Sequence, residues 1–129
     1  MATPARFRVA RPTVDIERAI AFWTGTVGLE ILSQFDDHAG YDGVILGYPD
    51  ASWELEFTRH SSGSPIPTPT HEDITVLYLA ESVAAEIVSR LQDAGHRPFT
   101  HPNPYWTAMG ASAHADPDGY TLIVFPVDH

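Results

Sequence analysis

Reactive side chains are sparse in this sequence. The stretch "SWELEFT" (residues 52–58) places Glu54 and Glu56 two positions apart, so on a strand they share one face while Trp53, Leu55 and Phe57 share the other. Such a carboxylate pair can hold a cation or, opposite a guanidinium, orient a polar ligand group. "NPYW" (103–106) ends in Tyr105 and Trp106, following an Asn-Pro pair that favours a loop. Their flat faces with polar edges suit stacking on a ligand, or Trp106 plugs the core beneath the loop; both readings stand. "DDHAGYDG" (36–43) puts His38 and Tyr41 in a hairpin. His38 titrates near neutral pH and could act as an acid or base, although such a histidine is commonly a solvated turn residue.

Other chemistries are absent. There is no cysteine, which excludes disulfides, thiolate nucleophiles and Cys-ligated zinc. The seven histidines show no HxH, HxxxH or HExxH spacing, and no Ser/His/Asp or phosphate-loop pattern occurs. A net charge of −10 opposes binding to a nucleic-acid backbone. No apolar run reaches membrane-spanning length and the first residues lack a signal-peptide core, so a cytoplasmic protein without membrane contact is expected. The 129 residues suit one domain, with 43% hydrophobic and 19% charged content.

The elements that would position these side chains repeat. "FRVARPT" reads as a strand. Asp15 then caps "IERAIAFWTGTVG", with Ile16, Ala19, Ile20 and Trp23 on one helical face and Gly28 at its end. Later, "TVLYLAE" reads as a strand. Ser82 caps "VAAEIVSRLQDAG", and Gly95 ends it. The two caps are 67 positions apart, as are the two glycines; the offset also maps "SWELEFT" onto "YTLIVF". Each half has room for a hairpin between helix and last strand. In the second half, Asp-Pro-Asp-Gly (116–119) makes the turn before "YTLIVF". The expected fold is α+β: two βαβββ modules, residues 6–60 and 73–126, joined by a Ser/Gly/Pro-rich linker over 61–72 in a single 1–129 domain.

This pattern resembles the vicinal oxygen chelate superfamily, the group of glyoxalase I, bleomycin- and fosfomycin-resistance proteins and extradiol dioxygenases. The resemblance rests on "VDIERAIAFWTGTVGLEIL", "ELEFT" and "DPDGYTL", and small bacterial members share "LEFTRH" and "NPYW". It implies that the modules form a U-shaped mixed-sheet cleft for substrate and metal, and that the protein is a homodimer. It also implies four metal-ligand positions, which here are Arg8, Glu56, Thr75 and Ile123. One carboxylate among them does not hold a divalent ion, and Arg8 repels one, so no metal or other cofactor is expected.

The resemblance further implies that Arg8 and Glu56 sit side by side in the cleft, a guanidinium standing where the metal's charge would be; the alternative is an Arg8 that meets only water. The cleft candidates are therefore Arg8, Glu54, Glu56, Ile123, Tyr105, Trp106, His38 and Tyr41. The expected function is sequestration of a small molecule, an antibiotic or metabolite. The alternative is a metal-dependent or metal-free enzyme of the lyase, isomerase or dioxygenase class.

Overall fold

The structure, a computed structural model, describes residues 5–128. Contacts divide the chain into two compact units, residues 1–67 and 68–129. In the first, β1 (Phe7–Pro12) leads through Thr13–Asp15 into α1 (Ile16–Ile20), which continues as a π-helical stretch over Ala21–Thr26. Asp15 is the N-cap, and its Oδ1 accepts from the Arg18 N–H at 3.2 Å. Gly28, at φ 102°, reverses the chain after it. Strands β2 (Glu30–His38), β3 (Tyr41–Gly47) and β4 (Trp53–His60) follow, and the sheet order is β1-β4-β3-β2 with β1 parallel to β4. The alternation read in "WELEF" is realised: Leu55 and Phe57 are buried, and Trp23 packs on Phe57 from the helical segment with ring centroids 6.0 Å apart. Glu54 and Glu56 take the opposite face.

The second unit begins with β5 (Ile74–Ala80), which passes without a break into α2 (Glu81–Asp93). Ala80 is the cap residue and supplies no side-chain bond; Ser82 lies inside the first turn rather than at the cap. The reason is the missing three-residue connection that β1 has before α1. The 67-residue offset therefore drifts: it holds for Gly28 and Gly95 but not for the helix starts. Three further elements complete the unit: α3 (Pro104–Ala108), β6 (Ser112–Ala115) and β7 (Thr121–Val127), with sheet order β5-β7-β6. The strand expected between α2 and α3 is reduced to a single bridge, Phe99 to Ala113. Prolines at 98, 102 and 104 remove backbone donors that a longer strand would need. The Asp-Pro-Asp-Gly turn forms as its residues dictate. Asp116 Oδ1 accepts from the N–H groups of Asp118 and Tyr120, both at 2.9 Å, and Gly119 has φ 91°.

The core of this unit holds a histidine. His114 on β6 is fully buried, which depresses the pKa of its ring; its bond to the His96 carbonyl opposes that shift, and the nearby His96 side chain adds to it. The unfolded chain thus binds a proton more readily than the folded one. Stability should be full above the ordinary histidine value of about 6.5 and should fall as pH drops below it, until the depressed folded value is passed. Urea unfolding near pH 7.5 and near pH 5.5 should give a smaller unfolding free energy in acid, and His114→Gln should reduce that difference. An unchanged difference would remove His114 as its source.

Candidate functional site

In the first unit, the polar candidates stand on the sheet face opposite the helix. Parallel pairing puts Arg8 opposite Glu54 and Ala10 opposite Glu56. Arg8 accordingly bonds Glu54, from Nε to Oε1 at 2.8 Å with Nη2 also at 2.8 Å, and Arg6 Nη2 donates to the same oxygen at 2.6 Å. Partial burial pushes the Glu54 carboxyl up, but the bonds from Arg8 and then Arg6, with their charges, outweigh it and hold it below the ordinary glutamate range. Glu56 is 3.9 Å from Arg8 Nη1, within ion-pair range but beyond a hydrogen bond. The expected Arg8–Glu56 ion pair is therefore present, but as the longer contact of an Arg6–Arg8–Glu54 cluster in which Arg8 hydrogen-bonds Glu54. The reason is register: paired residues of parallel strands are Arg8 and Glu54, and Glu56 lies two residues further on.

Glu56 keeps oxygen capacity on a face it shares with Ile45 and Ser33, its cross-strand neighbours. His38 and Tyr41 do not join this cluster. They pair with each other at the β2–β3 turn, and Tyr41 lies opposite His60. His60 is four residues beyond Glu56, roughly 13 Å along the strand. Tyr41 stacks edge-on to His60 at 4.6 Å instead.

In the second unit the corresponding face is aromatic. Val76 stands opposite Ile123 and Tyr78 opposite Phe125, whereas Thr75 stands opposite Leu122. In the first strand the repeat has therefore slipped by one, and Val76 relates to Ile123 as Ala10 does to Glu56. Ile123 is 0% exposed and packs with Phe125, Ala113, Phe99 and Trp106, so it supports the face rather than lining it.

Above it, "NPYW" is a short helix, not a loop. Asn103 caps it by accepting from the Tyr105 N–H at 3.0 Å, and Pro104 takes the first helical position. His101 anchors the cap, its Nδ1 accepting from the Asn103 N–H at 2.9 Å and its Nε2 donating to the His71 carbonyl at 2.6 Å. The helix sets Tyr105, Trp106 and Phe125 against one another, with centroids 5.1–6.4 Å apart, and Tyr78 meets Phe125 at 4.8 Å. Tyr105 is 49% and Tyr78 61% exposed. The Trp106 Nε1–H is buried and has no hydrogen-bond partner among the described residues.

Sequence reading found Tyr105 and Trp106 but missed Tyr78 and Phe125, which alternate with core residues on their strands. It also missed Arg6, although Arg6 and Arg8 share the i, i+2 spacing of one strand face.

The superfamily's metal does not fit these residues. Its four positions present a guanidinium already bonded to a carboxylate, one glutamate, a threonine turned to the other face and a buried isoleucine. Among the described residues, no three His, Asp or Glu side chains converge to hold an ion. No helix among them is long and apolar enough to cross a membrane.

Comparison with known proteins gives two family matches: the YycE-like N-terminal domain over residues 7–58 and the YycE-like C-terminal domain over 72–125. YycE of Bacillus subtilis (strain 168), which is uncharacterised, is 37% identical over 120 residues, covering 92% of this chain and 86% of YycE. A crystal structure of YycE from B. subtilis superposes with TM-score 0.88 at 35% identity, covering 98% of this chain and 92% of that one. Leishmania major glyoxalase I (TM-score 0.71, 18% identity, 98% and 87% covered) shares the fold. So does TnmS3, an antibiotic-binding protein from Streptomyces sp. CB03234 (TM-score 0.68, 22% identity, 98% of both chains).

Proposed function

The chain belongs to the YycE-like family, within the glyoxalase/bleomycin-resistance fold, and from that premise we propose that it binds and sequesters a planar aromatic small molecule without a metal. The observation that carries this reading is the Trp106 indole N–H, buried in an aromatic layer with no acceptor among the described residues. A buried donor left unpaired costs about 1–3 kcal/mol, which a ligand oxygen would relieve. Tyr105, next to Trp106 in sequence, and Met109, three residues after it, are each about half exposed, and they would part to admit the ligand. The exposed rings of Tyr105 and Tyr78 then offer stacking surfaces.

The antibiotic-binding fold neighbour supports sequestration by analogy only, since the same fold also carries glyoxalase I. Weighing against a metal-dependent lyase, isomerase or dioxygenase is the donor set itself. We expect two copies to pair, because Phe7 and Val9 on end strand β1 stand exposed.

Anilinonaphthalene sulfonate is a suitable probe: its naphthalene system is a planar aromatic and its sulfonate carries oxygen acceptors. Titrated into the folded protein with EDTA present, it should show a saturable fluorescence rise that added zinc, nickel or manganese does not change. A signal that never saturates, or one that requires the metal, would contradict the reading.

A further inference from the structure

The helix-side face of the second unit carries a second arrangement, away from the aromatic layer. Ser112 and His114 lie two residues apart on β6, opposite Val124 and Leu122 of β7. Ser112 Oγ is 2.9 Å from His114 Nε2, and His114 Nδ1 is 2.8 Å from the His96 carbonyl oxygen. A carbonyl can only accept, so Nδ1 carries the ring proton. Nε2 then has a free lone pair, and the Ser112 hydroxyl must donate to it. Nucleophile, base and orienting group thus stand in one chain of hydrogen bonds. Burial keeps the imidazole neutral at ordinary pH.

Ser112 is only partly buried and helps line a groove of about 520 Å³ together with Glu81, Ala84, Ala85, Val88, Val124 and Pro126. That volume suits a small ligand.

We propose that Ser112 is a nucleophile toward small carboxylic esters with an apolar acyl group, with His114 as its base and the His96 carbonyl as the group that positions the base. Ser112 Oγ bonds the ester carbonyl carbon while its proton passes to His114 Nε2. The C–O bond to the leaving alkoxide breaks, and the alkoxide takes that proton and departs as the alcohol. Water, deprotonated by His114 Nε2, then attacks the acyl carbon; the C–Oγ bond to Ser112 breaks, Oγ takes the proton back from Nε2, and the carboxylic acid leaves. The sequence gives no familiar spacing for this, because the orienting group is a backbone carbonyl and Ser-x-His is only the two-residue period of a strand.

The test uses the intact protein. A fluorophosphonate should form one adduct, Ser112 Oγ bonding phosphorus as fluoride leaves, and peptide mapping should place it on Ser112. Ser112→Ala should abolish it, while Ser89→Ala, which alters an exposed serine of the same groove, should leave it intact. Because the chain has no cysteine, Ser112→Cys introduces a single thiol. Beside a histidine base it should be alkylated by iodoacetamide near pH 7 about tenfold faster than the thiol of Ser89→Cys, despite its lower exposure. The proposal requires both the Ser112 adduct and the faster thiol. A wild-type protein that takes no phosphonate, an adduct that survives in Ser112→Ala, or equal alkylation rates would each overturn it.

Discussion

Trp23→Ala should lower the unfolding free energy by about 3–5 kcal/mol, the range for removing a fully buried large aromatic. Trp23 is 0% exposed. It meets Phe22 edge-on at 5.2 Å and Phe57 at 6.0 Å, and so joins the π-helical stretch to β4. The opposite face of β4 carries Glu54 and Glu56, so the same packing that buries Phe57 holds the carboxylates where the arginines reach them. Urea denaturation would report the loss as a lower midpoint with an unchanged slope. Trp23→Phe should lose less, since a ring still fills most of the space. A loss under about 1 kcal/mol for Trp23→Ala would mean that this contact does not organise the unit.

The second large effect belongs to binding. Trp106→Ala removes a stacking face, worth about 0.5–1.5 kcal/mol, and a donor to a charged acceptor, worth about 1.5–3 kcal/mol. Affinity for anilinonaphthalene sulfonate should therefore fall by about 30-fold or more. Trp106→Phe keeps a face and loses only the donor, so its affinity should lie between wild type and alanine. Trp53→Phe, on the first unit, should bind as wild type does. Should alanine at 106 loosen the fold, the phenylalanine variant decides, with circular dichroism as the check on structure. Equal affinity for wild type and both Trp106 variants would place the ligand elsewhere.

Much of this was legible in the residues. The alternation in "WELEFT", the Asp15 cap, the glycine stops and the Asp-Pro-Asp-Gly turn each follow from local chemistry, and each forms. What the sequence hid depends on register and connection. Arg8 pairs with Glu56 as expected, but its hydrogen bond goes to Glu54, because a pairing register is a property of two strands, neither of which carries it alone. The helix caps are not 67 residues apart because β5 enters α2 directly, a difference of three connecting residues that period counting cannot see. "NPYW" reads as a loop, although Asn followed by Pro is also the signature of a helix N-cap and first position; the helix follows from the Asn103 and His101 bonds. Tyr78 and Phe125 escaped notice because strand aromatics read as core, and only the pairing of β5 with β7 brings them under Tyr105.

The central claim is that a ligand oxygen meets the Trp106 indole N–H without a metal. The chain has three tryptophans, so a ¹⁵N-labelled sample should show three indole N–H signals in a proton–nitrogen correlation spectrum. With EDTA present, anilinonaphthalene sulfonate should move the Trp106 signal downfield as its proton gains an acceptor, leaving those of Trp23 and Trp53 in place. A Trp106 signal that stays still at saturation, or that moves only after a divalent metal is added, would contradict the account.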